Sequence, residues 1–181
     1  MPDEAEELDA LVRRVDPDRW LSTRFVADPA KRADLIALYA FDHELARARR
    51  VTSTPLLAEI RLAWWREMLG EAYGGLPVRR HPAAQALSLA VERNSLPRSA
   101  LEAMIDGYIA VLDEGAVAGV SESATVHAAA LLLDPATPEH FTAAQLAATA
   151  FPAVLPLAVR SVGNPLLKRL KMVWAVATGR I

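Results

Sequence analysis

The residues whose type and spacing could do chemistry are carboxylates and arginines. Asp42 and Glu44 lie within the run LIALYAFDHELARARRV at 35–51, followed by Arg47, Arg49 and Arg50. Asp106 and Asp113 lie seven residues apart in MIDGYIAVLDEG. On a helix that spacing is about two turns, so the two would face the same way. Carboxylates on facing helices are how an all-α protein holds Mg²⁺ against a diphosphate, because their hard oxygens ligate an ion that also bridges phosphate oxygens. Guanidinium groups match phosphate geometry and could hold the same ligand directly. The plainer reading of these residues is a solvated helix face: carboxylates paired with arginines one turn away, and basic residues at a helix C-terminus complementing its dipole. On spacing alone the plainer reading is the preferred one.

Other chemistries find less support. His43, His81, His127 and His140 show neither HxxxH nor HExxH spacing and read as surface or packing residues. The absence of cysteine excludes disulfides, thiolate metal sites and a cysteine nucleophile. No P-loop, GxSxG or GxGxxG motif occurs, and Gly74-Gly75 reads as a turn. A net charge of −2 argues against a general nucleic-acid binder.

The elements that must position these residues read as helices. The chain is 52% hydrophobic with only 6% aromatic residues, and it is rich in alanine, a combination that favours packed helices over a sheet. Asp28-Pro29 and Thr54-Pro55 are helix starts, with proline at the first helical position. The pattern predicts helices at about 3–15, 17–27, 29–50, 55–72, 82–93, 97–114, 121–133, 142–160 and 165–178. The expectation is an all-α, single-domain helical bundle over residues 1–181, with residues 1–16 open to loose attachment. Residues 142–159 carry no charge, but Pro152 and Pro156 interrupt them, so a kinked core helix is preferred to a membrane span. Contact with a membrane surface is left open. The acidic N-terminus has no apolar core of a signal peptide, so the expected location is cytoplasmic, or at the inner face of the membrane.

Taken in order, several segments resemble the squalene/phytoene synthase family. They are FVADPAKRADLIALYAFDHELARAR, TPLLAEIRLAWWREML and HPAAQALSLAVERNSLPRSALEAMIDGY, with PLLKRLKMVWAVATGRI similar to the last helix of short bacterial members. The resemblance covers about residues 17–133, and the C-terminus more loosely. It implies a truncated isoprenoid-synthase fold. Active members join two prenyl diphosphates head to head, using aspartate-rich motifs on two opposing helices to hold Mg²⁺ and an apolar tunnel to hold the chains.

The resemblance also implies a loss. After Tyr39-Ala40-Phe41 the family's first motif would place aspartates at 46, 47 and 50, where this chain has Ala46, Arg47 and Arg50. After Asp106-Gly107 the second motif would place one at 111, where this chain has Val111. Asp113 comes two residues late, about 200° around a helix. The segment beside that motif is SATVHAAALLL, and the chain is shorter than active members, with the shortfall after residue 133. ELARAR followed by EIRLAWWREML looks most like the non-synthase branch of the family, which includes a mitochondrial assembly factor for respiratory complex I and its bacterial relatives.

The expected function is therefore non-catalytic, through contact with a protein partner or an isoprenoid or other lipid ligand. The alternative is a Mg²⁺-dependent prenyltransferase with a shifted metal site of Asp42, Glu44, Asp106 and Asp113 around one apolar cavity. A plain structural helical module is the third reading. Tyr39, Asp42, Arg61, Asp106 and Asp113 are the candidate substrate-binding residues. No metal ligand is assigned, and Mg²⁺ is the cofactor only under the alternative.

Overall fold

The computed structural model describes residues 4–51, 54–112 and 120–133. They form helices α1 (Glu4–Val15), α2 (Pro17–Thr23), α3 (Pro29–Arg50), α4 (Pro55–Tyr73), α5 (Pro82–Asn94), α6 (Arg98–Ala110) and α7 (Val120–Leu133), and among them there is no strand. The helices expected at 142–160 and 165–178 lie outside the described residues, as do Asp113 and His140.

Proline sets most of the starts. Asp16 and Asp28 each accept a bond from a first-turn backbone N–H, Arg19 N at 3.0 Å and Ala30 N at 2.8 Å, and a proline follows each aspartate. This satisfies donors that a helix start otherwise leaves unpaired. α2 ends at Thr23, not 27, because Arg24, Phe25 and Val26 each bond three residues back and tighten the chain before the next cap at Asp28.

α3 is the hub, touching each of the other six described helices. That explains its composition: ten of its 22 residues are buried, including Leu35, Leu38, Phe41, Leu45 and Asp42. α1, whose attachment the sequence leaves open, packs on α3. Leu8 and Val12 form an apolar stripe 6% and 0% exposed, and Trp20 Nε1 donates to Asp9 at 2.9 Å. The spacing i, i+4 puts both aliphatic residues on the face that meets α3.

α6 and α7 cross closely at Gly107. A Cβ there would lie 2.8 Å from Ser121 Cα and 3.1 Å from Ser121 N, both backbone atoms that cannot rotate away. We expect Gly107→Ala to destabilise the protein by about 1–3 kcal/mol, despite the ~1 kcal/mol that alanine gains over glycine inside a helix. Gly70 on α4 has nothing within 4 Å of such a Cβ. Gly70→Ala should therefore keep that gain, and urea unfolding of the two variants reads the opposite signs directly.

Candidate functional site

Asp42 projects from the middle of α3 and is 6% exposed. Its Oδ2 is ion-paired with the Arg19 guanidinium of α2. Its Oδ1 accepts from Tyr108 Oη of α6 at 3.0 Å and from Thr125 Oγ1 of α7 at 2.8 Å. One carboxylate thus ties four helices together. The single Thr125 hydroxyl proton is shared between Asp42 Oδ1 and Ser121 O, the latter at 3.0 Å. Burial opposes the charge on Arg19, but the neighbouring Asp42 and Asp16 outweigh it and leave its pKa raised. Burial raises the Tyr108 pKa, and the negative charge of Asp42 raises it further, so the phenol stays a proton donor. Arg19, Tyr108 and Thr125 together occupy three of the roughly four acceptor sites a carboxylate offers a metal.

The other candidates sit elsewhere. Tyr39 is half-buried beside this network, its ring under the Arg19 guanidinium at 5.6 Å. Burial raises its pKa, opposed by the Arg19 charge. Asp106 lies on the outer surface, ion-paired with Arg66 of α4. Glu44 pairs with Arg47 of its own helix at 3.3 Å. The expected alignment of Asp106 with Asp113 along one helix falls outside the described residues, which stop at Leu112 here. α6 ends at Ala110, and Leu112 N bonds back to Ile109 O at 2.8 Å in a turn. Asp42 is thus buried in the network while Asp106 is exposed, and among the described residues no group of three or more carboxylate, histidine or cysteine side chains could hold a metal ion.

The positions where the resemblance would put aspartates are equally informative. Ala46 is half-buried, Arg47 and Arg50 are exposed, and Val111 caps the C-terminus of α6. Arg50 lies 3.4 Å from His43 Nδ1.

Arg61 has a different setting. With Glu44, Arg47, Ala48, Trp64, Trp65 and His81 it lines a cavity of about 200 Å³ between α3 and α4. Its wall is aromatic: Trp65 meets Trp64 edge-on at 4.8 Å and His81 at 5.0 Å, and Arg79 covers Trp64 at 5.3 Å. His81 Nδ1 is buried without a hydrogen-bond partner. Burial lowers the His81 pKa, Glu44 partly opposing, so the neutral ring is favoured. A larger depression of about 450 Å³ runs along the polar face of α1 and has no convergent apolar wall.

Sequence reasoning missed Arg19, Tyr108 and Thr125, which stand 23, 66 and 83 residues from Asp42. No local spacing encodes such separations. It also missed the cavity's Trp64, Trp65 and His81. The Trp64-Trp65 doublet was a usable signal, because two adjacent large aromatics on one helix cannot both face the core.

No curated protein and no solved structure matches the chain. The family model described as squalene/phytoene synthase matches residues 12–118, from the end of α1 to beyond α6. That span takes in the Asp42 helix, the Trp64 helix and Asp106-Gly107, and stops short of α7. An all-helical fold with this match fixes the assignment: the chain belongs to the squalene/phytoene synthase family.

Proposed function

We propose that this protein is a member of its family that does not turn over prenyl diphosphates and acts through protein or lipid contacts. Its likeness to the assembly-factor branch suggests a role in assembling a respiratory complex. The observation that carries the reading is the engagement of Asp42 by Arg19, Tyr108 and Thr125. The one buried carboxylate in the region of the first motif serves as a clamp between helices. Next to it stand Ala46, Arg47 and Arg50. Diphosphate departure leaves several negative charges, which carboxylate-held Mg²⁺ stabilises. Arginine can neutralise phosphate but offers no acceptor to a metal.

The test is turnover. Purified full chain incubated with farnesyl or geranylgeranyl diphosphate and Mg²⁺ should release no diphosphate and form no head-to-head product above the rate without protein. Mg²⁺-dependent product that disappears in Asp106→Asn would establish the prenyltransferase alternative instead.

A further inference from the structure

The first two turns of α4 expose an apolar face. Leu56, Leu57 and Ile60 are 65%, 46% and 56% exposed, and Val51, just beyond α3, is 51% exposed. The opposite face of α4 already supplies the core through Ala58, Leu62, Trp65 and Leu69. Leu56 and Ile60 are one turn apart, and Leu57 begins the neighbouring row that continues through Arg61 to Trp64. Four branched aliphatic side chains are thus exposed at the end of α3 and the start of α4.

The charge at this end is inverted relative to the chain. The last two turns of α3 and the first two of α4 carry Arg47, Arg49, Arg50 and Arg61 against Glu44 and Glu59, in a protein of net charge −2. Arg61 makes no ion pair among the described residues and borders the aromatic cavity of α3 and α4. Exposed aliphatics at a helical tip, rimmed by arginines, match the layering of an anionic bilayer: phosphates outermost, acyl chains beneath.

We propose that the α3–α4 corner docks on an anionic membrane surface. Leu56, Leu57, Ile60 and Val51 enter the boundary between headgroups and acyl chains, and Arg61 with the arginines of α3 contacts lipid phosphates. This names the partner for the contact-based reading above, yet it is tested separately: turnover decides that reading, and vesicle binding decides this one.

The experiment is flotation of the full chain with phosphatidylcholine vesicles, with and without phosphatidylglycerol. Binding is expected only with phosphatidylglycerol and should weaken as salt rises. Ile60→Asp should lower partitioning at least about tenfold, and Arg61→Gln about fivefold. Leu89 on α5 is also 53% exposed, and Leu89→Asp should change nothing. Far-UV circular dichroism verifies folding. If Ile60→Asp does not fold, the salt dependence and the conservative Arg61→Gln still decide the matter. Absence of binding, or equal binding by the parent and both variants, overturns the proposal. So does light scattering that shows a dimer dissociated by Ile60→Asp, since the face would then belong to a second copy.

Discussion

Asp42→Ala should destabilise the protein by about 2–4 kcal/mol, whereas Asp106→Ala should cost no more than about 0.5 kcal/mol. Both aspartates are acidic residues on helices, and the fold gives them opposite settings. Asp42 is 6% exposed and holds Arg19, Tyr108 and Thr125 at once. Its removal leaves the Arg19 guanidinium and the Tyr108 hydroxyl without this acceptor, while Thr125 keeps Ser121 O. Arg19 keeps a quarter of its side chain in water, which relieves part of that penalty and sets the loss below the full cost of a broken buried pair. Asp106 is 63% exposed in side-chain terms, and its pair with Arg66 is screened by solvent. For a domain of this size Asp42→Ala should lower Tm by roughly 5–15 °C, and Asp106→Ala by at most a degree or two. Asp42→Asn should fall between, because the amide oxygen still accepts while its NH₂ faces the Arg19 donor. Two metal ligands would respond differently: removing either would relieve carboxylate repulsion in the metal-free protein and leave Tm unchanged or higher. Equal Tm values for the two alanine variants would therefore refute the clamp.

That contrast also marks what the sequence could convey. Helix starts were legible because they are local. A capping aspartate followed by proline acts within one turn, and the observed α3 (Pro29–Arg50) begins and ends where the pattern puts it. The all-α fold and the family were legible for the same reason, being carried by ordered runs of residues. The end of α6 was not. Periodicity continues through MIDGYIAVLDEG on paper, but the helix stops at Ala110, where Leu112 N turns back to Ile109 O. The partners of Asp42 were also illegible, since each sits on a different helix and only packing around α3 brings them together. The reason for Gly107 became visible only with α7 in place: Ser121 comes so close that no side chain fits between the helices.

The scaffold half of the LYAF run should prove more sensitive to substitution than the arginine half. Phe41 is fully buried and meets Trp65 edge-on, with ring centroids 5.2 Å apart and planes at 67°. Trp65 in turn meets Trp64 and His81, so Phe41 is the buried end of a chain of rings reaching the α3–α4 cavity. Phe41→Ala removes that support and opens a void at the hub helix, at an expected cost of about 3–5 kcal/mol. Against a total stability of about 5–15 kcal/mol for an ordinary domain, that is a large share, and the variant should unfold at markedly lower urea. Phe41→Leu keeps most of the volume and loses the edge-on ring contact, worth about 0.5–1.5 kcal/mol, so it should fall well short of the alanine variant. Arg50→Ala, at an exposed position of the same helix, should lie within about 0.5 kcal/mol of the parent. The physical reason for the ordering is that Phe41 points into a core shared by α3 and α4, while Arg50 answers mainly to solvent and the helix dipole. A protein under pressure only to keep its fold must retain the first and is free at the second. An Arg50→Ala loss matching that of Phe41→Ala would mean instead that Arg50 holds structure, and would remove the basis for reading it as surface charge.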